Sequence, residues 1–264
     1  MMIQRVTFIG AGNLATQLGK AFRQTGVEIV QVYSRTPESA GMLGTILKTA
    51  FTTKTEEIDL SADLVVVAVA DDAIEQVLGK LDIRRNLVVH TAGSVSLDVL
   101  KKYSDRCGVF YPLQTFSRLR EVDFSDIPIC LEGCSAAIVT ELKELAGRIT
   151  KSVYEIDSAG RRTLHLAAVF ACNFVNHLYY VSDRLLGEQG LPFDLLKPLI
   201  RETASKIMDM GPYDAQTGPA RRNDEVAMAS HLQLLKDQPD RSETYRLLTT
   251  RIVQAYKNKV NDIV

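Results

Sequence analysis

Arg5-Val6-Thr7-Phe8-Ile9-Gly10-Ala11-Gly12-Asn13-Leu14-Ala15 decides the fold: an apolar run breaks into a glycine turn and passes at once into a helical pattern. The turn fits G-x-G-x-x-A, the spacing of a strand–turn–helix unit that receives a dinucleotide. Gly10 permits the tight turn, Gly12 lets the backbone approach a pyrophosphate, and Ala15 lets the helix pack closely on the strand. Ala11, Asn13 and Leu14 complete a segment whose unpaired amides, at the positive end of a helix, would carry the phosphates. The alternative is a merely structural turn; the position after a strand and before a helix favours cofactor binding.

Twenty residues further on, a chain that binds NAD places Asp or Glu against the ribose hydroxyls. This sequence has Ser34-Arg35-Thr36 there instead. A guanidinium and two hydroxyls suit a 2'-phosphate, which a carboxylate would repel, so NADP is expected rather than NAD. The bland alternative is a solvated arginine ahead of a helix started by Pro37.

Short apolar runs alternate with helical patterns up to residue 157, which spells an α/β doubly wound parallel sheet. Strands are expected at 5–9, 29–33, 64–69, 87–90, 108–111, 127–131 and 153–156, and helices at 14–24, 37–47, 73–81, 97–103 and 135–150. The run at 64–69 has no polar alternation and suits a central strand buried on both faces. Strand signals vanish after residue 157. A long helix is expected at 163–188, with others at 193–208, 225–235 and 242–260, so the chain divides into a dinucleotide domain, 1–157, and an all-helical domain, 158–264. The long helix is apolar nearly all round, which fits a core or a homodimer contact.

Of the 264 residues, 46% are hydrophobic and 24% charged, the composition of an ordinary globular protein. A net charge of -1 favours neither nucleic acid nor an anionic membrane as partner. No apolar run nears the length of a membrane span, and the start of the sequence has no secretory pattern, so cytoplasmic residence is expected. Cys107, Cys130, Cys134 and Cys172 lack paired C-x-x-C spacing, and no metal site is expected.

Two further loops fall at the carboxyl edge of the sheet, where open parallel sheets bind ligands. Val69 and Ala70 would line the cofactor, with Asp71 or Asp72 capping the next helix. His90, Thr91 and Ala92, leading into Gly93-Ser94, form a loop small enough to pass close to a nicotinamide ring; His90 is either a polar ligand contact or a satisfied strand-end histidine.

With these loops, the segments at 111–116 (Tyr-Pro-Leu-Gln-Thr-Phe), 165–173 (His-Leu-Ala-Ala-Val-Phe-Ala-Cys-Asn) and 217–224 (Thr-Gly-Pro-Ala-Arg-Arg-Asn-Asp) resemble a family of Rossmann-type NADP oxidoreductases with a carboxy-terminal helical domain of unknown function. The amino-terminal half is also similar to pyrroline-5-carboxylate reductases, ketopantoate reductases and deazaflavin-dependent NADP reductases. The resemblance covers nearly the whole chain and implies NADP as cofactor. Tyr111 and Asn223 depart from it, standing where the family usually has histidine and glycine.

Hydride transfer to a carbonyl or imine needs a group that donates a proton or stabilises developing charge. His165, Val169 and Asn173 are spaced four and four on one helix, so His165 is a candidate proton donor and Asn173 a candidate orienting group; the alternative is a hydrogen-bonded packing pair. Arg221 and Arg222, after a helix start capped by Thr217, could hold a substrate carboxylate or phosphate with Asp224 fixing one guanidinium, or simply face solvent. Gln114 is a candidate cleft residue. Two functions stay open: an NADP-dependent reductase of a small carbonyl or imine compound, and a noncatalytic NADP-binding sensor.

Overall fold

The structure, a computed structural model, describes residues 2–257. Strand β1 (Arg5–Ile9) leads through the glycine turn into α1 (Asn13–Gln24), and β2 (Glu28–Tyr33) returns parallel to β1. Helix α2 (Pro37–Leu47) and a short β3 (Ala50–Thr52) follow; β4 (Leu64–Val67) then pairs with the other side of β1. Next come α3 (Ile74–Leu78), β5 (Leu87–His90), α4 (Asp98–Lys101), β6 (Arg106–Pro112), β7 (Ile129–Gly133), α5 (Ala136–Ala146) and β8 (Val153–Glu155). The spatial order is β3-β2-β1-β4-β5-β6-β7-β8, so the first six strands run 3-2-1-4-5-6 and leave a crevice where the order reverses between β1 and β4.

Alternation along the strands builds two cores. Val6, Phe8 and Val66 face α1, α2 and α5, where Phe22 meets Phe8 at 6.2 Å and Phe110 edge-on at 5.7 Å between ring centroids. Val65, Val67, Val88 and Val109 face the opposite way, onto Ile74, Leu78 and Leu97. Central β4 and β5 are buried along their whole length, as a strand covered on both faces must be.

Several expectations need correction. The sheet is not wholly parallel: β7 runs antiparallel to β6, and β8 follows the direction of β7. A three-residue edge strand, β3, carries too little pattern to be read from sequence. The central strand stops at Val67 rather than residue 69: the Ala68 amide makes a last bond to the Ile9 carbonyl at 2.7 Å, and the chain then turns beneath Gly10. Helix α5 ends at Ala146, with Gly147 as its cap.

The expected long helix is also divided. Asp157 caps it, accepting from the Gly160 amide at 2.7 Å, so α6 begins at Ser158 and runs to Ala168. A π-helical segment, Val169–Phe174, separates it from α7 (Val175–Gly187). The described residues form one compact unit ending at Phe174 and another starting at Val175. The second unit holds α7, a 3₁₀ turn at Phe193–Leu196, α8 (Lys197–Asp209), two single turns α9 (Pro212–Ala215) and α10 (Pro219–Arg222), α11 (Glu225–Leu234) and α12 (Pro239–Lys257). The predicted end of the last helix, residue 260, lies outside the described residues. Among them no helix is long and apolar enough to cross a membrane.

Candidate functional site

Gly10 has φ 114, and a Cβ there would lie 2.2 Å from the Ala68 carbonyl oxygen and 3.1 Å from Val69 Cγ1. Only glycine accepts that backbone angle and that approach together. Gly12 is the N-cap of α1, yet no side chain satisfies the first turn, and nothing lies within 4 Å of where its Cβ would be. Open space therefore sits against uncapped amides at the positive end of a twelve-residue helix, which is the geometry that receives an anion. Ala15 is fully buried behind them, and Leu14 packs on the core. The Asn13 side chain instead donates to the Phe116 carbonyl at 3.0 Å, and Gln17 donates to the carbonyls of Ser117 and Arg120, so the 116–120 loop is strapped across this helix start.

The resulting cavity, about 290 Å³, is lined by Gly10, Ala11, Gly12, Val69 and Ala70, by Ser34 and Arg35 at the end of β2, and by Arg118. Arg35 makes no ion pair or hydrogen bond among the described residues and is exposed, so its charge is free for a ligand. Thr36 is occupied as the cap of α2, its hydroxyl accepting from the Ser39 amide at 3.4 Å; Ser39 and Thr55 reach the cavity where Thr36 does not. Arg118 was not expected. It donates to the Ala11 carbonyl, and its Nε is buried without a partner. No periodicity marks a loop arginine so distant in sequence; its only signal was a place soon after the 111–116 segment.

A second group of residues gathers at the ends of β5 and β6. His90 is fully buried; its Nδ1 accepts from the Ala92 amide at 3.2 Å and its Nε2 has no partner. Burial above all, and then the charge of Arg161, pull its pKa down to about 4, so His90 is neutral. It does not line the cavity at Gly10 and holds the loop from within through the Ala92 amide. The Thr91 amide donates to the Val67 carbonyl, and Thr91 and Ala92 are themselves almost wholly buried. Asp71 does not cap the following turn but accepts a hydrogen bond from Ser94, joining the loops after β4 and β5.

His165 lies over Gly93, where a Cβ would come within 2.6 Å of the imidazole Nδ1. That nitrogen is 3.0 Å from the Tyr111 hydroxyl, with the two rings edge-to-face. Burial raises the Tyr111 pKa, so the phenol stays protonated beside that nitrogen. Tyr111 thus stands at the site, although sequence reasoning gave it no role. Asn173 falls in the π-helical segment, whose wider winding breaks the four-residue spacing; it is exposed, as is Asn176. Gln114 is exposed and uses its carbonyl on the Thr115 amide.

In the second unit, Gly218 with φ 103, rather than Thr217, precedes α10, and no side chain caps it. Arg221 donates to the carbonyls of Asp214 and Gln216 and lies 5.0 Å over the Tyr256 ring. Arg222 is 3.9 Å from Asp224, whose other oxygen caps α11 through the Ala227 amide. Among the described residues no group of three His, Cys, Asp or Glu could hold a metal ion.

Residues 5–93 match the family described as NADP oxidoreductase coenzyme F420-dependent, and residues 127–252 match DUF2520, a domain of unknown function. A Bacteroides fragilis protein assigned as an NADP oxidoreductase is 45% identical, covering 96% of this chain and 98% of that one, with a TM-score of 0.92. A reductive aminase from Aspergillus terreus, 17% identical, covers 98% of this chain and 95% of that one with a TM-score of 0.72. A 1-pyrroline-5-carboxylate reductase from Streptococcus pyogenes, 15% identical, covers 95% and 98% with a TM-score of 0.63. The sequence finds no match among curated proteins. The chain belongs to the NADP oxidoreductase family that joins a Rossmann domain to a DUF2520 region, and NADP is the cofactor of that family.

His90 gives the loop a pH signature. Unfolded, it takes a proton near pH 6.5; folded, it resists until about 4. The unfolded state therefore binds more protons between those values, and stability falls as pH drops from 6.5 toward 4, by about 3 kcal/mol from this group. Urea unfolding at a series of pH values should show that loss, and His90→Asn should flatten it.

Proposed function

We propose that this NADP oxidoreductase reduces a small carbonyl or imine compound with NADPH. One observation carries the reading: the amide-lined cradle after β1 and the Tyr111–His165 pair at the end of β6 stand at the carboxyl edge of one sheet, with β4 and β5 between them. The amides of α1 hold the diphosphate, with Arg118 neutralising charge beside Ala11. Arg35, with Ser34 and Ser39, holds the 2'-phosphate by charge-assisted hydrogen bonds. Val69, Ala70, Thr91 and Ala92 flank the cofactor with small side chains, and Gly93 keeps the way to His165 open. Bound NADPH supplies a hydride from its dihydronicotinamide ring.

The remaining need is a proton, and His165 is placed to give one. Tyr111 fixes the tautomer by donating to Nδ1, so Nε2–H is the group available to a substrate oxygen or nitrogen. Asn173 and Gln114, both exposed, are available to orient the substrate. Of the two adjacent arginines, Arg222 is the one left for an anionic group, since Arg221 is committed to carbonyls and to Tyr256. The reductive aminase neighbour, in complex with NADPH and ethyl-5-oxohexanoate, supports carbonyl or imine chemistry on this fold.

The homodimer belongs to the same proposal. Among the described residues of the second unit only Ala220 and Leu235 are buried hydrophobics, while Val226 is 82% exposed, Met208 78% and Leu234 76%. A monomer rarely leaves so much apolar surface in water, and a second copy of the same helices would cover it.

Three outcomes are expected. By calorimetry, wild-type protein binds NADPH more tightly than NADH, and Arg35→Ala weakens NADPH alone by roughly 10- to 100-fold, the loss of one charged hydrogen-bonding group; unchanged preference removes the phosphate assignment. On a panel of small ketones, keto acids and imines, His165→Ala lowers kcat by about 10²- to 10⁴-fold while still binding NADPH. Wild-type protein that binds NADPH and turns over none of the panel favours the noncatalytic sensor. Sedimentation at micromolar concentration should give twice the mass of the chain.

A further inference from the structure

Among the described residues, the largest fully buried side chain is charged: Arg161, on α6, is 0% exposed. Its Nη1 donates to Glu132 on β7 at 2.5 Å, and its Nη2 donates to the Val95 carbonyl at 2.5 Å and to the Ser158 hydroxyl at 3.2 Å. Ser158 in turn donates to the same Glu132 oxygen at 2.7 Å and accepts from the Leu97 amide at 3.0 Å. Arg161 Nε has no partner.

These contacts form an ordered series. Going up α6, Ser158 meets Leu97, Arg161 meets Val95, and four residues later His165 meets Gly93. The helix and the loop after β5 thus run antiparallel and in register. Residues three or four apart on α6 meet residues two apart on the loop, which bends through residues 93–95.

We propose that the Arg161–Glu132 pair positions His165, by fixing the rotation and register of α6 against the loop 93–97; this rests on the role given to His165 above. Stability alone is a poor reason for the pair. Burying two charges costs several kcal/mol in desolvation, and well-packed apolar side chains commonly do as well. An apolar contact, however, tolerates sliding and rotation. A planar guanidinium held at once by a carboxylate and a carbonyl does not. Glu132 anchors that fork to the sheet, and the fork holds the imidazole one turn away over the only kind of residue, a glycine, that leaves it room.

Glu132→Gln tests this with shape preserved and charge removed; Arg161→Lys keeps charge but cannot bridge Glu132 and Val95 together. In full-length protein labelled at histidine and glycine, we expect both variants to lose the nuclear Overhauser contact between the His165 ring and the Gly93 Hα. Both should bind NADPH within about 2-fold of wild type, while kcat falls about 10- to 100-fold, the usual effect of a displacement near 1 Å. Should either fail to fold, Ser158→Ala removes the link to Leu97 alone and is read in the same way. Wild-type contacts in folded variants overturn the proposal, as does a fall in kcat with those contacts intact. The ring contact needs no turnover, so its loss in variants of a protein that reduces nothing would uphold the positioning and remove only the reductase reading.

Discussion

The closest constraint in the molecule is between two backbones. The turn at Gly10 lies so near the end of β4 that a single added carbon would fall 2.2 Å from the Ala68 carbonyl oxygen. That approach places α1 directly over the crevice left by the reversal of strand order, with its amides uncapped. It also ends the central strand at Val67, so that Val69 and Ala70 leave the sheet as a cavity wall instead of extending it. Cofactor pocket, strand length and helix placement all follow from one position where only hydrogen fits.

Charge is distributed around the pocket by depth. Arg35, on the rim, is exposed and has no ion pair or hydrogen bond among the described residues. His90 and Tyr111, further in, are kept neutral by burial. Arg161, deepest, keeps its charge because Glu132 meets it. Asp71, tied to Ser94 between the loops after β4 and β5, is the carboxylate that acts on both neutral groups.

What could be read in advance was whatever repeats locally. The unbroken valines of β4, the glycine spacing and the absence of an acidic residue at Arg35 each announce themselves within a few residues; the structure has the buried strand and the tight turn, and Arg35 lines the cavity beside them. Arg118 and Tyr111 could not be seen that way, since their partners lie about a hundred and about fifty residues away. The reversed direction of β7 is set by pairing with β6 across a loop, and a strand pattern carries no sign of direction. The π-helical segment escaped for a related reason: apolar residues on most sides of a helix hide a change in winding.

The two compact units differ in what they can do while the chain is still being made. The first closes on itself: Arg148 reaches back to the carbonyls of Ile3 and Thr25, sealing the start of the sheet with a residue made long after it. Once about 174 residues have left the ribosome, that unit holds both of its cores in full. The helices that follow have few buried apolar side chains among the described residues, so their order draws less on a core of their own than that of the sheet before them.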